Sequence, residues 1–158
     1  MKIITALALA GTLVATPILA LAQTAVDPAV LAPIKQLTEG FNGNAPAKIA
    51  GAHVASPIIL DEFAPYAWSG PAAILGWGGD FARFAAAKGV ISGVVQINDP
   101  SVAEVNGDHA YVVSPSVITF KTKDGQIKNA GSFTFALVKS ADGWKIQSWA
   151  YSRGVALP

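Results

Sequence analysis

From Asp27 onward, apolar positions recur with two different periods. Val30, Ile34, Leu37 and Phe41 fall four, three and four residues apart, which places them on one helix face. Asp27 is a good N-cap and Pro28 a good first helical residue, while Gly40, Asn42 and Gly43 end the pattern. Asn44 is read as the cap of a second, shorter helix through Pro46, Lys48 and Ile49, stopped by Gly51, with His53 just beyond it. Residues 56–63 are a short apolar run ending in Asp61 and Glu62, read as a strand. Ala64-Pro65 then turns the chain into an aromatic loop with Tyr66 and Trp68. A third helix is predicted over 71–88, with Ser69 or Gly70 at its cap, Pro71 at its first position and Gly89 at its C-terminal end. Ile74, Trp77, Phe81 and Phe84 form its stripe. Gly76, Gly78 and Gly79 lie inside it, each costing up to about 1 kcal/mol relative to alanine. They either admit a strand or a ligand close to the helix or mark a break near Gly78-Gly79.

Beyond Val90 the period shortens to two. Strands are predicted over 93–98, 102–106, 109–121, 126–139 and 144–153, with Gly107-Asp108, Lys123-Asp124-Gly125 and Ala141-Asp142-Gly143 at hairpin turns. Pro115 has no N–H for a ladder, so a bulge or a local edge is expected there. Helices followed by an antiparallel meander give an α+β fold whose sheet buries its apolar face on the helices; if the sheet also curls strongly, a conical cavity is left beneath them. On the last strand Trp149 and Tyr151 share one parity, and Trp144 and Ile146 share the other. Simple alternation puts Trp149 and Tyr151 on the outer face, where a homodimer would cover them. A bulge would instead turn Trp149 inward.

The amino terminus reads differently. Met1-Lys2, an apolar run from Ile3 to Leu21 and the small-residue site Ala20-Leu21-Ala22 have the form of a secretory signal over residues 1–22. Thr5, Gly11, Thr12 and Pro17 interrupt the run, which disfavours the alternative of a membrane anchor. The expected mature protein is then a single domain over 23–158, periplasmic or secreted and without a membrane segment. Once Lys2 leaves, the formal charge of +1 becomes zero. No basic stretch offers the field that gathers phosphate backbones, so nucleic acid is not an expected partner. Hydrophobic residues make up 52% of the 158 and charged ones 13%, with no cysteine. Thiol nucleophiles, thiolate metal sites and disulfides are thereby excluded.

No phosphate loop is present, because the GWGGD glycines sit in a helical pattern and no Gly-Lys-Ser/Thr follows. No serine lies in a nucleophile elbow, and the two histidines, His53 and His109, are far apart in sequence. No metal and no cofactor is expected. Asp61 is the candidate catalytic residue: a carboxylate half buried at the end of an apolar strand would have a raised pKa suited to taking a proton. A solvated strand-end acid is the plainer alternative. Adjacent strand residues point to opposite faces, so Asp61 and Glu62 are not expected to share a pocket unless a bulge intervenes. Tyr66, Trp68, Trp77, His109 and Tyr111 are the candidate ligand-binding residues, the aromatic ones as pocket wall with polar tips. Ordinary core packing is the alternative for Tyr66, Trp68, Trp77 and Tyr111 and the preferred reading for Trp77, and an exposed strand start is the preferred reading for His109.

Taken in order, the amphipathic first helix, IILDEFAPYAWSGPAAILGW, GDHAYVVSPSVITF and the closing hairpin GSFTFALVKSADGWKIQSWAYS resemble the SnoaL-like group of the nuclear transport factor 2-like superfamily. The resemblance covers roughly residues 28 to 152. It implies a cone-shaped fold of three helices on a curved antiparallel sheet, and homodimers through that sheet. It also implies a choice among isomerases, dehydratases, cyclases and members without activity. Ketosteroid isomerases of this superfamily carry an aspartate base shortly before a Ser-Gly that opens the third helix. Asp61 and Ser69-Gly70 match that arrangement, whereas the first helix has no tyrosine and residues 133–138 have no acid for an oxyanion. The expected function is binding of a small apolar or amphipathic ligand in the cone. The alternatives are a cofactor-independent isomerase or lyase with Asp61 as base, helped by Tyr66, Tyr111 or His109, and a non-catalytic accessory dimer.

Overall fold

The computed structural model describes residues 26–157; the segment read as a signal lies outside them. Helix α1 (Pro28–Asn42) starts where the Asp27 carboxylate accepts the Ala29 N–H at 2.9 Å. Helix α2 (Pro46–Ala52) follows. Its N-cap is Ala45, with no side-chain cap; Asn44 instead takes a left-handed turn conformation with φ 48°. Strands β1 (His53–Leu60) and β2 (Ala67–Ser69) lead into α3 (Ala73–Ala87). Helix α3 runs unbroken through its glycines and ends before Gly89, whose φ of +65° suits the residue that stops a helix. The meander is β3 (Val90–Ile97), β4 (Val102–Asn106), β5 (His109–Thr122), β6 (Gly125–Ser140) and β7 (Gly143–Leu157).

The seven strands form one sheet in the order β2-β1-β7-β6-β5-β3, with β4 also on β5. It is mixed rather than wholly antiparallel, because β1 lies parallel to β7. Pro115 causes no bulge against β6, where the pairing Pro115↔Ser132 continues the register. On its other side β5 changes partner, from β4 up to Val113 to β3 from Ser116 onward. The missing N–H falls in that gap, and the Pro115 carbonyl is used by the Asn98 N–H at 2.9 Å.

A β-bulge sets the geometry of the last strand. Leu137 pairs with Ile146 but Ala136 pairs with Ser148, so Gln147 is the extra residue and the parity switches after it. Trp144, Ile146, Trp149 and Tyr151 are therefore all buried on the inner face. The outward placement of Trp149 and Tyr151 expected from simple alternation is wrong for this reason. The inner face, with Val112, Phe135, Leu137, Ile146 and Trp149, packs on Val30, Ile34 and Leu37 of α1. The Trp149 indole N–H donates to His53 Nε2 at 3.1 Å, and His53 Nδ1 donates to the Ile49 carbonyl at 2.7 Å. Both bonds are met only by the neutral Nδ1–H ring, and burial pushes the imidazole pKa down.

Asn42 holds α1 to the exposed edge of β3. Its amide donates to the Val95 carbonyl and accepts the Val95 N–H, both at 2.8 Å, in place of a neighbouring strand. Asn42 and Val95 both stand at the rim of a space left between the helices and the sheet.

Candidate active and ligand-binding cavity

That space is a cavity of about 1040 Å³, bounded by the C-terminal end of α1, by α2, the loop after β1, α3, β3 and the inner face of the sheet. Its wall is mainly apolar, with nine aromatic side chains in it. Trp77 stacks on Phe81 at 5.5 Å, tilts against Phe41 at 5.3 Å and meets Trp149 edge-on at 5.5 Å. Phe63 stacks on Phe84 at 5.1 Å. Gly78 and Gly79 belong to the wall, and a Cβ at Gly78 would meet open space. Gly76 serves differently: a Cβ there would lie 3.1 Å from the Trp68 ring, so this glycine admits β2 against the helix.

Asp61 and Glu62 both line the cavity. Strand β1 stops at Leu60, so strand alternation no longer governs the pair, and the expectation that they face apart is corrected. The loop is tight: the Asp61 N–H donates to the Tyr66 carbonyl at 3.1 Å and the Tyr66 N–H to the Phe63 carbonyl at 2.8 Å. Asp61 Oδ1 accepts the Glu62 N–H at 2.7 Å, and Oδ2 accepts the Trp77 indole N–H at 2.8 Å. Burial pushes the Asp61 pKa up to about 6 against the pull of those two N–H groups, with a small upward push from Glu62. Glu62 Oε2 lies 2.9 Å from Arg153 Nε, a charge contact without hydrogen-bond alignment, since that oxygen has no hydrogen-bond partner. Tyr151 also lines the cavity. Its hydroxyl pKa is pushed up to about 12, first by burial and then by the charges of Glu62 and Asp61.

Of the candidate ligand-binding residues, Trp77 joins Asp61 in the wall. The others stand elsewhere. Trp68 is buried, and its indole N–H donates to Asp80 at 2.8 Å, with Asp80 also paired to Arg83. Tyr66, at φ 73°, turns its ring into solvent, and Tyr111 is exposed on the outer face of β5. His109 is an exposed strand start paired with Val138. Glu62, Tyr151 and Trp149 are wall residues that were not among the candidates. Strand parity hid each of them, through the end of β1 in the first case and the Gln147 bulge in the other two. Among the described residues no group of three or more His, Cys, Asp or Glu side chains converges on a metal position. No described helix is long and apolar enough to cross a membrane.

No protein-family model and no curated protein matches the chain. Solved structures do. A Mycobacterium tuberculosis protein of unknown function superposes with a TM-score of 0.65 at 23% identity, over 80% of this chain and 75% of that one. The hexachlorocyclohexane dehydrochlorinase LinA-type3 of Novosphingobium barchaimii gives 0.68 at 13% identity, over 83% and 88%. The CaMKII hub of S. rosetta gives 0.62 at 21% identity, over 80% and 95%. The fold is the nuclear transport factor 2-like cone. At these identities the likeness is one of fold, and the chemistry of this cone has to be read from its own wall.

Proposed function

We propose that this nuclear transport factor 2-like protein is an exported, cofactor-independent domain that binds a mainly apolar small molecule inside its cone. The observation that carries this reading is the largely apolar cavity of about 1040 Å³, at the upper end of the about 300–1000 Å³ common for small-molecule pockets. Trp77 and Trp149 stand in its wall and report on occupancy. Titration with Nile red should quench or shift tryptophan emission and raise the dye's own fluorescence. Absence of both changes, together with no ligand in native mass spectrometry of protein taken from its own host, would reject the reading.

A second reading, proton transfer by Asp61, is favoured by one specific feature: a carboxylate with a pKa near 6 inside an apolar cavity. The Trp77 N–H is already engaged by Asp61, and the Tyr151 hydroxyl, close enough to feel the Asp61 charge, is a candidate donor to a developing oxyanion. The likeness to a dehydrochlorinase supports a lyase over an isomerase. On a substrate found by screening, Asp61→Asn should reduce kcat by about 100-fold or more, and unchanged turnover would remove this reading. A homodimer through the outer face of the sheet completes the proposal.

A further inference from the structure

The charges of the cavity wall are one-sided. Asp61 and Glu62 line it, and none of its described lining residues is a lysine, arginine or histidine. Glu62 has an answering charge in Arg153, 2.9 Å away. Asp61 has none. Its two oxygens accept only the neutral Glu62 and Trp77 N–H groups, and its charged neighbours are Glu62 and the Arg153 bound to it, with the Tyr151 hydroxyl also nearby. An ionised Asp61 is thus held in an apolar chamber without a counter-cation.

The rings beside it supply the other half of the arrangement. Trp77, fixed to Asp61 by its own N–H, is surrounded by Phe41, Phe81 and Trp149 with ring centroids 5.3 to 5.5 Å from it. Aromatic faces carry the negative lobe of the ring quadrupole and attract organic cations. An anionic ligand would meet two carboxylates and these faces with no cation to receive it. A neutral one would leave Asp61 uncompensated.

We propose that the ligand of this cavity is an organic ammonium compound, an apolar body carrying a tertiary or quaternary ammonium seated in the cavity beside Asp61, against its aromatic wall. The inference rests on the ligand-binding reading above rather than on the proton-transfer one, because a bound ammonium holds Asp61 ionised and weakens it as a base.

Three probes of equal chain length separate the possibilities: decyltrimethylammonium, decan-1-ol and decanoate, each below its micellar concentration, titrated calorimetrically into the full protein at about pH 7.5. The cation should bind about tenfold or more tighter than the alcohol, and decanoate should bind weakest. In Asp61→Asn the cation's advantage over the alcohol should disappear. A pH series on the unaltered protein gives the same answer without a variant. The cation's advantage should shrink as pH falls through about 6, where Asp61 takes up its proton, while the charge of the quaternary ammonium stays fixed. If the alcohol or decanoate binds as tightly as the cation, or if the cation's advantage survives in Asp61→Asn and at low pH, the ammonium inference is overturned and ligand binding stands. If none of the three binds, ligand binding itself fails and the inference falls with it.

Discussion

At Asp61 stability and chemistry pull in opposite directions. Its pKa in the fold, about 6, stands above the ordinary value of 3.8, so the folded protein holds this proton more tightly than the unfolded chain. The cost of keeping the carboxylate ionised is therefore absent below about pH 4 and complete above about pH 6, where two pKa units correspond to at most about 3 kcal/mol. Asp61→Asn removes the charge but leaves one acceptor oxygen for two donors, the Glu62 and Trp77 N–H groups. The lost hydrogen bond costs the same at every pH, so the expected signature is a difference: relative to the parent, the variant should be about 1–2 kcal/mol more favourable at neutral pH than near pH 4. Urea melts of both proteins across that range measure it; a stability difference that does not change with pH would show that the carboxylate is not destabilised by burial. His53 acts with the opposite sign. Its pKa is lowered by burial, so its contribution is present above the ordinary 6.5 and lost as pH falls below it, when a second ring proton displaces the Trp149 N–H. His53→Ala leaves that N–H and the Ile49 carbonyl without partners. It should cost about 2–4 kcal/mol and flatten the stability profile below pH 6.5. An unaltered acid slope in the variant would place the sensitivity elsewhere.

Between elements, glycines decide how closely things approach. At Gly131 an added Cβ would sit 2.7 Å from the Ser152 carbonyl and from the Tyr151 ring, so Gly131→Ala should destabilise by about 1–3 kcal/mol as Tyr151 is pushed off its strand partner. Gly78 is the reverse case, a helical glycine whose Cβ would point into open cavity. Gly78→Leu should stabilise α3 by up to about 1 kcal/mol while abolishing binding of a cavity probe such as Nile red. Loss of stability together with retained binding would contradict the assignment of Gly78 to the wall. These elements also show what a sequence reveals. The hairpins were legible because Gly107, Gly125 and Gly143 each take a positive φ at the turn, a local requirement that local residues express. The first helix was legible because its stripe and its cap are both local. Asp61 and Trp77 could be singled out as an acid beside an aromatic loop and a ring on a helix stripe. The parallel docking of β1 on β7 depends on a partner about ninety residues distant, and the extra residue at Gln147 on a register shift within the β6–β7 hairpin that its turn residues do not announce. No local signal carries them, and from those two features follow the placements of Glu62, Trp149 and Tyr151.

For the molecule as a whole, export and pairing remain proposals with separate supports. Export rests on Lys2, the apolar run and Ala20-Leu21-Ala22. Amino-terminal sequencing of protein from the host should begin at Gln23 in a fraction outside the cytoplasm, and retention of residues 3–20 on a soluble product would defeat it. The dimer can no longer rest on Trp149 or Tyr151, which are inside, but the outer face supplies its own argument. Two rows cross it through the strand register: Leu60, Ala150, Thr134, Val113 and Val102, and beside them Ile58, Ser148, Ala136, Tyr111 and Glu104. Glu104, on β4 at the end of one row, is the sole charge in either. Ile58, Leu60 and Tyr111 expose 46 to 47% of their surface there, a patch that monomers seldom leave bare. A two-fold pairing lays such a face on its own copy. Ala136 and Thr134 lie on β6 in the interior of the rows, and arginine at either position would set like charges against each other across the axis. Ala136→Arg should therefore convert a dimer to a monomer at micromolar concentration with folding intact, as sedimentation velocity and near-ultraviolet circular dichroism would report together. Trp149→Ala is the control with the opposite signature, a loss of about 3–5 kcal/mol in stability and no change in association of the protein that remains folded. A monomeric parent protein, or an Ala136→Arg variant that still sediments as a dimer, would move the interface off this face.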